Sequence, residues 1–171
     1  MALAGTARVR AGLKRCTSPA VNFVRLVISP TGIGRVVRIE AAEGNVVDTY
    51  IHRQDGRGVN GVIVELSGGS VELAHDVAVH VAFTKPTYLH RSDVPEAEVA
   101  EERETLISIT RAEGKPEAAL DKIVTGRLTA WYAERVLLEQ KYVKDEKQTV
   151  AKLLESAGAT LVRFSQIIVG S

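Results

Sequence analysis

The chain has 171 residues, of which 45% are hydrophobic and 25% charged, and its formal net charge is +1. This length and composition suit one globular domain. A single cysteine, Cys16, excludes an internal disulfide framework and fits a reducing compartment. No apolar run approaches the roughly 18 residues that a membrane-spanning helix needs.

The charge is unevenly distributed along the chain. Residues 1–39 contain seven basic residues and no acidic residue, which leaves 15 basic against 21 acidic residues in the remainder. A mildly acidic body argues against nucleic-acid binding by the main domain.

Residues 1–33 are basic, contain two prolines and differ in composition from the rest of the chain. Three interpretations fit them: a mitochondrial transit peptide, an irregular lead-in, or a basic arm that binds phosphate. The basic arm is the least consistent of the three, because Phe23 is the only aromatic residue in this stretch. We favour an irregular lead-in, to which residues 21–28 could add a short strand.

An antiparallel meander is predicted next. Residues 35–42 and 46–53 are predicted as two strands joined at residues 43–45, where a Gly-Asn pair tolerates the positive φ of a tight hairpin. Residues 54–60 (QDGRGVN) are predicted as a polar turn, and residues 61–66 (GVIVEL) as a third strand. A helix that follows directly is expected to pack on this sheet.

That helix extends from Ser70, its predicted cap, to Pro86, its predicted stop. Helical spacing places five residues on one core-facing stripe: Leu73, Ala74, Val77, Ala78 and Val81. The opposite face mixes polar and apolar residues: Glu72, Asp76, Val79, His80 and Phe83. A solvated face rarely combines a Val and a Phe with a His. Either another element of the fold covers this face, which is the commoner outcome, or a partner does.

A helical hairpin is predicted over residues 94–135. Asp93 and Glu96 have the spacing of a capping box at the head of its first helix. Gly114 ends that helix and Pro116 begins the second. So short a turn requires the helices to lie antiparallel, and their narrow apolar stripes predict that the hairpin projects from the core.

The C-terminal part is predicted as a charged loop over residues 136–148, a short helix capped by Thr149 and ended by Gly158, and a final strand over residues 161–169 in a central position of the sheet. The predicted fold class is therefore α+β. It has an antiparallel sheet of three to four strands packed by helices, with a projecting antiparallel helical hairpin.

The histidines do not predict a metal or catalytic centre. His75 and His80 are five residues apart on one helix, so they point to different sides and cannot share a metal. Asp76 and His80 could form an oriented carboxylate–imidazole pair, but no nucleophile on a strained elbow accompanies them. No catalytic residue, metal or cofactor is therefore predicted, and a small enzyme using this pair is an alternative. An interface role for His80, flanked by Val79 and Phe83, fits better.

Six segments, in order along the chain, carry a resemblance to a known family: VVRIEAAEGNVVDTYIHR, NGVIVEL, AHDVAVHVAFTKPTYL, EGKPEAALDKIVTGRL, LLEQKYVKDEKQTVAKLL and LVRFSQIIVG. Together they resemble the C-terminal portion of elongation factor Ts, the guanine-nucleotide exchange factor of elongation factor Tu. The resemblance covers about four fifths of the chain. It implies that residues 34–171 form the core subdomain of this family, preceded by the lead-in of residues 1–33.

Two features of the family have no counterpart in these residues. They are an N-terminal three-helix module that docks on the G domain of elongation factor Tu, and a Thr-Asp-Phe-Val motif that helps to eject the nucleotide. The resemblance therefore implies a shortened elongation factor Ts that is not an enzyme. We expect it to bind elongation factor Tu in its GDP-bound and nucleotide-free states and to promote exchange weakly.

The resemblance also implies contact residues. Gly61 matches the Gly of the family's Ile-Gly turn, although Asn60 replaces the Ile; His80 matches the second helix histidine, and Val143 matches a contact valine. Together with the mixed helix face, the predicted partner-binding residues are Gly61, Asp76, Val79, His80, Phe83 and Val143.

The alternative to exchange is a structural module that forms a homodimer or a scaffold. Direct contact with nucleic acid or a membrane is not expected. The expected location is the cytoplasm, or a mitochondrion or plastid if residues 1–33 are a transit peptide.

Overall fold

A computed structural model describes residues 37–169 of the chain. The predicted lead-in of residues 1–33 and its possible strand lie outside the described residues. The elements in chain order are β1 (Asn45–Gln54), β2 (Arg57–Ser67), α1 (Val71–Thr84), α2 (Glu96–Ala112), α3 (Glu117–Arg135), β3 (Lys141–Tyr142), β4 (Asp145–Thr149), α4 (Val150–Ser156) and β5 (Thr160–Ile168). These helices and antiparallel strands confirm the α+β class.

The chain divides into two compact units. Among the described residues, the first unit comprises residues 37–82 and 158–169, and the second comprises residues 83–157. The first unit contains the sheet of β1, β2 and β5 with nearly all of α1, whereas the second contains the last two residues of α1 and the elements from α2 to α4.

The β1–β2 hairpin turns at Asp55-Gly56, where φ is 50° and 75° respectively, and Gln54 pairs with Arg57 across it. The predicted hairpin between residues 35–42 and 46–53 is therefore wrong, since residues 37–42 are not in a strand. The predicted loop over residues 54–60 is wrong as well, because the chain re-enters β2 at once. A two-residue Asp-Gly turn matches the twist of the paired strands, and it prevails over the Gly-Asn pair upstream.

β2 is the central strand of the sheet and β5 pairs with β2 alone among the described residues, so the predicted central position of the last strand is wrong. The physical reason lies in the burial of β2. Its residues 60–66 are all buried, as expected for a strand covered on both faces, whereas most of β5 is only half-buried.

Helix α1 confirms the predicted stripe. Ala74, Val77, Ala78 and Val81 have no exposed surface, and Leu73 is half-buried. The backbone N–H of Leu73 donates to the Ser70 hydroxyl at 3.2 Å, which confirms the cap. From the sheet, the Asn60 side-chain amide donates to the carbonyl of Ala82 at 2.8 Å. This bond fixes the C-terminal part of α1 against β2.

The other face of β2 carries a buried carboxylate. Glu65 is 1% exposed, and its Oε1 accepts hydrogen bonds from the Asn45 side chain at 2.8 Å and from the Ala42 backbone N–H at 3.1 Å. Its Oε2 accepts from Arg163 Nε at 2.6 Å. Arg163 lies directly opposite Glu65 on β5 and also donates to the Glu40 carbonyl. Glu65 thus ties the segment that precedes β1 to two strands of the sheet.

In the second unit, α2 and α3 form the predicted helical hairpin. Gly114 ends α2 with φ at 71°, and Arg127 on α3 donates to the Glu113 carboxylate at 2.7 and 2.9 Å. The predicted capping box at Asp93 and Glu96 is wrong. Asp93 instead accepts the His90 backbone N–H at 2.8 Å in a short 3-10 turn, and α2 begins after Pro95.

Residues 136–148 are not the predicted loop, because β3 and β4 form a small antiparallel hairpin there. Gln140, which is 4% exposed, stabilises its base. Its Oε1 accepts from the Thr84 hydroxyl at 2.8 Å, and its Nε2 donates to the Glu134 carbonyl at 2.8 Å. One buried side chain therefore links the ends of α1 and α3 to the start of β3.

Gln140→Leu is expected to lower the free energy of unfolding by about 2 kcal/mol, because it removes two partly buried hydrogen bonds and leaves the Glu134 carbonyl without this partner. Urea denaturation followed by circular dichroism measures the change. Gln148→Leu is the matched control, since Gln148 donates to Asp145 at an exposed site. Equal losses for the two variants would contradict the role given to Gln140.

Candidate partner-binding site

The six predicted partner-binding residues fall in both units. Gly61, Asp76, Val79 and His80 belong to the first unit, and Phe83 and Val143 belong to the second. Their exposure separates them into three pairs: two buried, two half-buried and two exposed.

His80 and Gly61 are buried. Only 1% of His80 is exposed, although it lies on the predicted mixed face of α1. Gly61 lies within β2, opposite Ile51 and Ile167, and not in a turn. With these two residues it lines an apolar groove of the sheet. That groove does not include Asp76 or His80, so it does not supply the cleft that catalysis by this pair requires.

Asp76 and Val79 are half-buried on α1. The nearby surface of the first unit is formed by polar and aromatic side chains. His75 Nδ1 and Asp48 Oδ2 lie 2.7 Å apart, and the Tyr50 ring contacts the His75 ring edge-on at 6.0 Å between centroids. His75 therefore connects α1 to β1, while His80 points into the interior. Within residues 37–169, no group of three or more His, Cys, Asp or Glu side chains is placed to hold a metal ion.

Phe83 and Val143 are exposed. Phe83 shows 74% of its surface on the last turn of α1, and Val143 shows 39% in the turn between β3 and β4. The 2.8 Å hydrogen bond between Thr84 and Gln140 joins the two segments that carry them. We call this part of the second unit, residues 83–85 and 141–147, the Phe83–Val143 surface. Two segments that are held together and each carry an exposed apolar side chain have the character of a protein-binding surface.

Gln140, which fixes the base of this surface, is a residue that the sequence analysis missed. No signal in the sequence indicated its burial, because Gln140 stands between two charged residues, Glu139 and Lys141. Its partners, the Thr84 hydroxyl and the Glu134 carbonyl, could not be foreseen, since both come from helix ends.

Comparison with known proteins identifies the family. The family model described as "Elongation factor TS" matches residues 24–171. The chain belongs to the elongation factor Ts family. This confirms the resemblance seen in the six sequence segments.

Individual relatives belong to the same family. Elongation factor Ts of Clavibacter michiganensis subsp. michiganensis is 45% identical over 136 residues, which cover 78% of this chain and 50% of the relative. The protein of Saccharopolyspora erythraea is 47% identical over 135 residues (78% and 49%), and that of Acidothermus cellulolyticus is 44% identical over 140 residues (81% and 50%). The chain thus spans about half the length of the curated relatives it matches. Among the described helices, none is long and apolar enough to span a membrane.

Proposed function

We propose that this chain binds elongation factor Tu, in its GDP-bound and nucleotide-free states, and promotes the release of GDP during polypeptide elongation. Membership of the elongation factor Ts family supports the choice of partner. The single structural observation that carries the proposed site is the 74% exposure of Phe83 at the end of α1. We also propose that the protein acts in the cytoplasm, as its relatives are bacterial.

The proposed mechanism is binding, with no bond made or broken. A protein that binds the nucleotide-free state of a GTPase more tightly than the GDP-bound state weakens GDP binding by the same factor. Contacts that favour both states equally would dock the two proteins without promoting release. Exchange therefore depends on how far the two affinities differ.

Within the proposed site, the residues have different roles. Phe83 and Val143 have exposed surface and can contact a partner directly. His80 is 1% exposed, so we assign it to holding α1 in place rather than to direct contact. The side chains of Asp76 and Val79, in the first unit, are half-buried, so only part of their surface is open to a partner.

A protein consisting of these 171 residues is expected to bind elongation factor Tu but to accelerate GDP release only weakly. The reason is that the printed sequence contains no Thr-Asp-Phe-Val segment, which the family resemblance associates with nucleotide ejection. Isothermal titration calorimetry against GDP-bound and nucleotide-free elongation factor Tu measures the two affinities, and their ratio gives the coupling. The absence of binding to both states would refute the proposed function.

A homodimeric or scaffolding module is the second candidate. It is supported by the β5 edge of the sheet, which has no second neighbouring strand among residues 37–169, and by the 43% exposure of Val162 on that strand. Sedimentation equilibrium distinguishes the candidates. Self-association together with no binding to elongation factor Tu would favour the scaffold.

A further inference from the structure

Three lysines lie in the same two segments as the apolar residues of the Phe83–Val143 surface. Lys85, Lys141 and Lys147 are all exposed, and none of them forms an ion pair with a carboxylate in the described part of the chain. These charges contrast with the arginines at 91, 103, 111 and 127, each of which pairs with an Asp or Glu of the same unit. Three exposed ammonium groups of this surface are therefore not paired with a carboxylate.

The fold joins the two segments that carry these lysines. The Thr84–Gln140 hydrogen bond holds the segments together, and Lys85 and Lys141 each directly follow one of the bonded residues. Lys147 lies on β4, which pairs with β3 through Lys141 and Thr149. Among the acidic residues of the surface, Asp145 already accepts hydrogen bonds from the Lys147 N–H and the Gln148 side chain. Counted by sequence, the surface has four lysines and two acidic residues.

Lys85 provides an independent indication. Its φ is 52°, a left-handed conformation that follows the last turn of α1 and that glycine adopts without steric cost. The chain thus has a charged side chain in a backbone conformation that favours glycine. Strain of this kind is concentrated at functional positions, and here it places an exposed ammonium group two residues from Phe83.

We propose that the Phe83–Val143 surface docks on an apolar patch bordered by carboxylates on elongation factor Tu, and that Lys85, Lys141 and Lys147 accelerate the encounter. This inference rests on the proposed function and specifies the chemistry of the partner surface. Apolar contact by Phe83 and Val143 would hold the complex together, whereas the lysines, at the margin, would act mainly on the association rate. Because the lysines remain exposed to solvent, added salt screens their charges and reduces their effect on the association rate.

Stopped-flow measurement of the association rate constant with nucleotide-free elongation factor Tu tests the inference. At about 20 mM salt, Lys85→Glu and Lys147→Glu are each expected to slow association about fivefold, and the difference is expected to shrink at about 500 mM salt. Lys122→Glu is the matched control, because Lys122 is exposed on α3 outside the surface and the change in net charge is the same. The control is expected to associate at nearly the wild-type rate.

Lys85→Gly distinguishes an effect of the lost positive charge from an effect of lost stability. This variant relieves the left-handed strain while it removes the ammonium group, so it is expected to raise the melting temperature and still to slow association. Unchanged association for Lys85→Gly and both Glu variants, or equal slowing by Lys122→Glu, would overturn the proposed steering surface. Wild-type protein that fails to bind elongation factor Tu at all would instead overturn the proposed function, and the steering surface with it.

Discussion

Glu65→Ala is expected to lower the free energy of unfolding by about 3 kcal/mol, at the lower end of the loss seen when a buried ion pair is broken. The substitution leaves Arg163, Asn45 and the Ala42 N–H without the carboxylate that they share. The loss is at the lower end because the Arg163 side chain is 48% exposed and can be solvated. Urea denaturation at pH 7 measures the change.

The matched control is Glu43→Ala, since Glu43 is an exposed acidic residue of the same segment. Its removal is expected to change stability by less than about 0.5 kcal/mol. A loss for Glu65→Ala no larger than that of the control would contradict the role of Glu65 in tying the segment before β1 to β2 and β5.

The same carboxylate should make stability depend on pH. Burial raises the pKa of Glu65, but the hydrogen bonds from Asn45 and Ala42 and the ion pair with Arg163 outweigh burial and hold the pKa below its usual value of 4.5. A carboxylate with a lowered pKa in the folded state stabilises the fold above its unfolded pKa. That contribution is lost as the pH falls below about 4.5 and through the lowered folded value. In the Glu65→Gln variant, the decline of stability over this acidic range is expected to be shallower than in the wild type.

Phe83→Ala is expected to weaken binding to elongation factor Tu by about 2 kcal/mol, roughly 30-fold in Kd, which is the effect typical of an aromatic anchor in an interface. Because Phe83 is 74% exposed, its loss should leave the free energy of unfolding nearly unchanged. Isothermal titration calorimetry and urea denaturation of the same protein preparations measure the two quantities.

His80→Ala is the informative comparison. Its side chain is 1% exposed, so the substitution is expected to reduce stability, with a smaller effect on the affinity of the folded protein than Phe83→Ala. The opposite pattern, with full affinity for Phe83→Ala and a large loss for folded His80→Ala, would contradict the assignment of the direct contact to Phe83.

The elements whose limits depend on local signals could be predicted from the sequence. Ser70 caps α1 and the apolar stripe at 3.6-residue spacing is buried, because both depend on contacts within a few residues. The hairpin of α2 and α3 followed from Gly114 and Pro116, whose backbone restrictions act at their own positions.

The pairing of the strands could not be predicted from such local signals. Two neighbouring Gly-containing segments each offered a turn, and the pattern of β-forming residues does not show which of the two turns the strands pair across. The position of β5 depends on residues that are far apart in sequence, such as Glu65 and Arg163, which form a bond across 98 positions. The small β3–β4 hairpin carries five charged residues, so its sequence is typical of a loop.

For the mixed face of α1, the sequence alone could not show which side chains are buried, and the reason is physical. A helix face that mixes Val79, His80 and Phe83 has the same sequence pattern whether its own fold or a partner covers it. In the structure, His80 is buried by the protein's own fold, whereas Phe83, one turn further, is exposed. No role was predicted for the lysines of the Phe83–Val143 surface, because Lys85 lies at the predicted stop of a helix and Lys141 and Lys147 lie in a segment predicted to be a charged loop.

The measurement that tests the central claim most directly is the affinity of this chain for nucleotide-free and GDP-bound elongation factor Tu, measured for the wild type and Phe83→Ala. The account predicts that the wild type binds both states, with tighter binding to the nucleotide-free state, and that Phe83→Ala weakens both by about 30-fold. Wild-type protein that binds neither state, or Phe83→Ala that binds as well as the wild type, would contradict it.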